Sequence, residues 1–226
     1  MKIKDRYRWD IMTEEQLLEL AEEIYQQSFE ANNFYEIMMQ LEREKVEYFD
    51  EMRASSAFYS FIYNSLVVST FAVVSKLYEK TTHKDAISVK KFLGRCMEYK
   101  TFSTELTVSG PAPESFFKSK KQEYEQFEKN NSLDWLYTQR DKIYSHNTKK
   151  AMKNMDKLIE ENPLRKEQIK QFIDFSLELS QAAIAYLTGT LKASSVANIS
   201  DLKNTLMLVR IGNEYKETYI SEKLHE

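Results

Sequence analysis

Apolar residues recur along this chain at steps of three and four and seldom in alternation. Thr13 followed by Gln16 is a capping-box pattern, and behind it Leu17, Leu20, Ala21, Ile24 and Ser28 keep one face while Glu and Gln fill the other. A first helix is expected from about residue 13 toward Asp50, with a break around Ala31 to Asn33. Phe58, Ile62, Leu66, Ser69, Val73 and Leu77 form a second stripe with many apolar neighbours, which predicts one of the most buried helices of the protein over 58–77. Asn64, Ser65, Ser69 and Thr70 interrupt it, so it reads as a core helix rather than as the ~18 clean apolar residues of a membrane span.

Further along, Asp85 is placed to cap a shorter helix carrying Val89, Phe92, Leu93 and Met97, and Thr101 to Pro113 reads as the clearest loop. A charged helix is expected from Glu114 through Phe127, with a pause at Asn130-Asn131-Ser132 before Trp135 and Leu136. Asn162-Pro163 marks a stop and a new start, since Asn suits a helix cap and proline the first turn. Ile169, Phe172, Ile173, Leu177, Ser180, Ile184 and Leu187 then define a helix that fades near Gly189, and a last one begins near Ser200-Asp201. Gly212-Asn213 leaves a hairpin over 205–220 open as the alternative there.

The whole chain has only four glycines and three prolines, too little turn chemistry for a sandwich or barrel. The fold class expected is all-α, a bundle of long antiparallel helices. With 226 residues and no internal repeat, one domain is expected over 1–226, with an N-terminal extension at 1–12 and a C-terminal helical appendage at 195–226. The net charge of -3 provides no global field toward nucleic acid or membrane, so any RNA contact must come from a local patch. A single cysteine, Cys96, rules out an intrachain disulfide and fits a reducing cytoplasm, and the first residues carry no secretion-signal pattern.

Histidine chemistry has few places to be, because only His83, His146 and His225 occur. His83 reads as a solvated linker residue. Glu222 and His225 are a single Glu-x-x-His pair, where a di-iron bundle needs two plus further carboxylates. Serine elbows, Walker loops, dinucleotide fingerprints and zinc motifs are missing, so no metal or other cofactor is expected. What remains is the run from Arg140 to Asn147, which puts a permanent guanidinium six residues before an imidazole. RNA is cleaved without metal when a base takes the 2′-hydroxyl proton and a cation steadies the phosphoryl oxygens, so His146 suits the acid or base and Arg140 the phosphate clamp. One ideal helix would separate the two by a rise of about 9 Å and a rotation of about 120°, which calls for a distorted helix or a second subunit. The plainer alternative is Arg140 paired with Asp134 or Asp141 on the surface and His146 solvated.

Arg140-Asp141-Lys142-Ile143-Tyr144-Ser145-His146 resembles the Arg-polar-x(3–5)-His signature of HEPN domains, and its Arg-Asp-Lys opening resembles their abortive-infection, AbiU-like branch. The stretch from Ser65 to Tyr78 followed by Asp85 to Leu93 is similar to that branch's core helix and the helix after it. The resemblance implies a helical bundle that dimerises, so that Arg and His from two chains line one cleft, and a metal-independent endoribonuclease of a toxin–antitoxin or phage-defence system. It assigns Arg140 and His146 as catalytic and Asp141 as the polar residue that orients them. A tyrosine that some members carry two positions after His is Thr148 here, so modification at that position is not expected. Lys142, Lys149 and Lys150 around the motif, with Tyr144, are the expected RNA contacts, set against a solvated face. The partners implied are RNA, a second copy and an antitoxin protein, with no membrane. A non-catalytic module binding a protein or nucleotide is the alternative function.

Overall fold

The Thr13 pattern caps the first helix as expected: Gln16 N–H donates to Thr13 Oγ1 at 3.2 Å and Thr13 N–H to Gln16 Oε1 at 3.0 Å. The computed structural model describes residues 12–80, 87–102, 110–144, 155–199 and 201–224, all statements of structure below refer to these, and among them every regular element is helical. In order they are α1 (Glu14–Glu47), α2 (Phe49–Arg53), α3 (Ser56–Leu77), α4 (Val89–Glu98), α5 (Pro113–Lys129), α6 (Ser132–Gln139), a π-helical turn (Arg140–Tyr144), α7 (Met155–Glu161), α8 (Lys166–Thr188) and α9 (Asp201–Leu224). The chain is all-α, and 205–220 lies within α9, so the hairpin alternative does not hold.

Leu17, Ala21, Ile24, Ser28, Ala31, Tyr35 and Met38 are buried on α1 at alternating steps of four and three, a single stripe that runs straight through the break expected at Ala31 to Asn33. The two asparagines have work that keeps the helix whole. Asn32 Nδ2 donates to the Ser194 carbonyl at 2.7 Å, its Oδ1 accepts from Lys170 Nζ at 3.1 Å, and Asn33 Oδ1 accepts from Val196 N–H at 3.1 Å. Polar residues that read as a loop are thus a clasp on the connector between α8 and α9.

α8 packs antiparallel along α1. Lys166 pairs with Glu42 near one end, Lys170 reaches Glu36 in the middle, and Tyr25 donates to the Ala193 carbonyl beyond the other. Phe172, Ile173, Leu179 and Ala183 on α8 are fully buried, as are Ser176 and Ser180, whose hydroxyls donate back to helix carbonyls of the preceding turn. Tyr78, Tyr124, Phe127, Phe172 and Phe175 stack into one aromatic cluster at the centre, and Tyr78 Oη donates to the Phe172 carbonyl at 2.6 Å.

The expectation that 58–77 is among the most buried helices is corrected. Burial on α3 is confined to Thr70, Phe71, Val74, Ser75 and Leu77, Val73 and Leu66 are half-buried, and Phe58, Phe61 and Val68 are exposed. α8 takes the central position instead, because its apolar stripe meets α1, α3, α4 and α5, while α3 meets neighbours mainly on one side. α3 is also the one described helix long and apolar enough to cross a membrane. α1 packs along it with exposed Glu19, Glu23, Glu30, Arg43 and Lys45, charges that cost several kcal/mol each in hydrocarbon.

Helix boundaries differ in detail from expectation. Ser88 caps α4, with Lys91 N–H donating to its Oγ, while Asp85 lies outside the described residues, as do 103–109 of the expected loop. Arg165, not Asn162, precedes the first turn of α8, its N–H capped by Gln168 Oε1 at 2.8 Å, and Asn162 instead donates to the Leu158 carbonyl at the end of α7. Gly189 ends α8 at φ +73°, a left-handed residue that suits glycine. A smaller core of Leu41, Tyr48, Met52 and Leu206 attaches α9, reinforced by Arg210, which pairs with Glu51 at 2.6 Å and lies over the Tyr48 ring at 4.3 Å. Beyond Arg210, residues 211–220 of α9 are exposed.

Candidate active site at Arg140

Three side chains of α6 fix where Arg140 stands. Leu136 is fully buried, the Tyr137 hydroxyl donates to the Tyr78 carbonyl, and Gln139 Nε2 donates to the Asn162 carbonyl at 2.6 Å. The helix starts from Asn131, which takes a left-handed φ of 61°, while the Asn130 side chain accepts from Ser132 N–H at 3.1 Å. After Gln139 the α-helix widens into a π turn, so Arg140 opens a segment with i→i+5 hydrogen bonds, a distortion frequent at functional sites. Of the two arrangements that the spacing left open, a distorted helix or a second subunit, the first has a counterpart in the π turn at Arg140, while His146 lies outside the described residues.

Arg140 is half-buried and held by two carboxylates. Its Nε donates to Asp141 Oδ1 at 2.6 Å, and its Nη1 lies 3.7 Å from Glu79 Oε1 just past the end of α3. The guanidinium sits 5.8 Å from the centre of the Tyr137 ring. Lys80 Nζ lies 5.0 Å from the same ring and pairs with Asp134 at 2.7 Å. The Asp141 hydrogen bond, then Glu79, raises the Arg140 pKa against the effect of its partial burial, so this cation stays charged at every relevant pH. Burial pushes the Tyr137 hydroxyl up, and Arg140 beside it pulls the other way. Tyr137 is therefore a neutral donor and a flat apolar support, not a base.

The structure pairs Arg140 with Asp141 and leaves Lys142 exposed next to them. Tyr144 closes the π turn, described through its backbone only, and His146, Lys149 and Lys150 lie outside the described residues. Of the two surface partners considered for Arg140, Asp134 or Asp141, the structure has Asp141; Lys80 engages Asp134, and Glu79 takes the second place on Arg140. Glu79 and Lys80 were missed by sequence reasoning. Their only signal is a charged pair at the end of a long apolar helix, and nothing local says that this end meets α6. No group of His, Cys, Asp and Glu among the described residues is arranged to hold a metal ion.

The described residues form an all-helical protein with Arg140 and Asp141 paired where α6 passes into the π turn. The chain belongs to the AbiU2 family, an abortive-infection branch of HEPN proteins, whose family model matches residues 14–204, from the first residue of α1 into α9. No curated protein and no solved structure matches it.

Proposed function

We propose that this protein is a metal-independent endoribonuclease of a toxin–antitoxin or phage-defence system, acting in the cytoplasm as a homodimer and restrained by an antitoxin protein. The observation that carries the reading is Arg140 at the mouth of the π turn, held through Nε by Asp141 inside a run that resembles the Arg-polar-x(3–5)-His signature of HEPN domains, in a chain of the AbiU2 family. Arg140 clamps the scissile phosphate and steadies the charge that builds on its oxygens. His146 takes the 2′-hydroxyl proton, the freed oxygen attacks the adjacent phosphorus, and the 5′-oxygen leaves as it gains a proton, giving a 2′,3′-cyclic phosphate. Lys142, Lys149, Lys150 and Tyr144 hold the strand on either side. A second copy is favoured by the charge-free exposed stripe Phe58, Phe61, Ser65, Val68 and Ala72 on α3, spaced as a helix–helix seam.

The test is cleavage of single-stranded RNA in EDTA, with DNA of the same sequence left intact. His146→Ala and Arg140→Ala each lower the rate ~100-fold or more, and the double variant is little worse than either. Dependence on a divalent metal, or full activity in His146→Ala, overturns the mechanism. A second reading is a non-catalytic module that binds a protein or nucleotide, favoured by the engagement of Arg140 by both Asp141 and Glu79. RNA or nucleotide binding without cleavage under any condition decides for it.

A further inference from the structure

At the end of α3 remote from Arg140, a cleft of about 550 Å³ opens between α1, α2 and the first turns of α3. Ser60 and Leu77 are separated by about 25 Å of helix, so this cleft is a different place from the Arg140 site. Leu41 and Met52 make an aliphatic floor and Phe49, Tyr59 and Tyr63 supply aromatic walls. The size and lining are those of a small-molecule pocket, typically ~300–1,000 Å³ and mostly apolar with a few polar groups.

The charges at its mouth are unequal. Glu42 is already satisfied, because Lys166 and the Tyr63 hydroxyl both donate to it, and although partial burial works the other way these bonds hold its carboxyl below the usual range. Lys45 and Arg53 are exposed and make no hydrogen bond or ion pair among the described residues, unlike Lys80, Lys90, Lys120, Lys166, Lys192 and Arg210. Ser56 and Ser60 add hydroxyls beside them. Lys45 acts on Glu42 only through space, and Arg53 has no carboxylate partner among the described residues, so two exposed cations above an apolar floor complement one kind of ligand.

We propose that this cleft binds an amphiphilic organic anion, an apolar or aromatic body carrying one carboxylate or phosphate, with Lys45 and Arg53 holding the head group and Leu41, Phe49, Met52 and Tyr59 the body. A guanidinium takes such a head bidentately, and the body replaces water over apolar walls. This site stands independently of the ribonuclease reading.

The experiment is fluorescence titration of the full chain with 11-(dansylamino)undecanoic acid, followed by competition with dodecanoate, 1-naphthyl phosphate and dodecanol. Saturable binding of one probe per chain is expected, with displacement by dodecanoate if the body is an acyl chain or by naphthyl phosphate if it is aromatic. Dodecanol should compete roughly tenfold worse than the better anion, and Lys45→Glu and Arg53→Glu should each weaken binding roughly tenfold without changing Tm. Phe61→Ser, on the outer stripe of α3, should leave probe affinity unchanged. Equal competition by dodecanol, wild-type affinity in both charge reversals, loss of binding in Phe61→Ser, or no saturable binding overturns the proposal. None of these outcomes bears on RNA cleavage at Arg140.

Discussion

Asp141 grips Arg140 through Nε, at 2.6 Å from Oδ1, while Glu79 Oε1 lies 3.7 Å from Nη1 on the same guanidinium. If Asp141 aims the cation, Asp141→Asn keeps the shape and removes the charge-assisted bond. Single-turnover RNA cleavage should slow by roughly 10–100-fold, with a much smaller change in RNA affinity, because a misaimed clamp is felt mainly in the transition state. An unchanged rate would show that Asp141 does not orient Arg140.

The outer stripe of α3 bears on assembly. Phe61 is 75% exposed in the single chain. Phe61→Glu should convert a dimer to monomer at micromolar concentration in sedimentation velocity, with Tm unchanged or lowered only through loss of the partner. A wild-type protein that sediments as a monomer removes the dimer from the proposal.

Stability should be concentrated on the α1 stripe and not on α3. Leu17 is fully buried, and Leu17→Ala should cost ~2–5 kcal/mol in urea unfolding. Leu66 is half-buried between the two cores, so Leu66→Ala should cost clearly less. The reverse order would restore the central role that the sequence suggested for α3.

Alkaline pH should weaken the fold. Burial pushes the Cys96 thiol and the Tyr78, Tyr124 and Tyr137 hydroxyls above their ordinary values. Groups raised in the folded state contribute stability in full below their unfolded values, about 8.5 for Cys and about 10 for Tyr, and lose it as pH rises toward the folded ones. Tm should therefore hold to about pH 8.5 and fall above it, steeply beyond about 10. In the native protein at pH 8, Cys96 should resist a thiol-reactive dye that labels it after unfolding. Prompt native labelling would contradict its burial.

Helix class, the Thr13 cap, the Gly189 stop and the last helix were legible because each rests on residues close in sequence. The Arg140 motif was legible by resemblance, and its partner Asp141 lies next to it. What could not be read depends on which end of one helix meets another. Glu79 reaches Arg140 only because α6 packs on the end of α3. Phe58, Phe61 and Val68 have the composition of a core and face outward because α8, with Phe172 and Phe175, occupies the centre instead. Asn32 and Asn33 look like a break until the 194–196 backbone is placed against them.

The clasp between the middle of α1 and the connector after α8 has a consequence for synthesis. Its bonds join residues 162 and 163 positions apart, and the Glu42–Lys166 pair spans 124, long separations for an all-helical chain, where contacts are usually local. When α1 leaves the ribosome, its partners on α8 and the following connector do not yet exist. At ~5–20 residues per second, roughly six to thirty seconds pass before residues 166–196 emerge. During that interval the side of α1 that faces α8 is uncovered, and pairing of α1 with α3, or a chaperone, shields it, so expression yield should depend on the cell's holding capacity as well as on the stability of the finished protein.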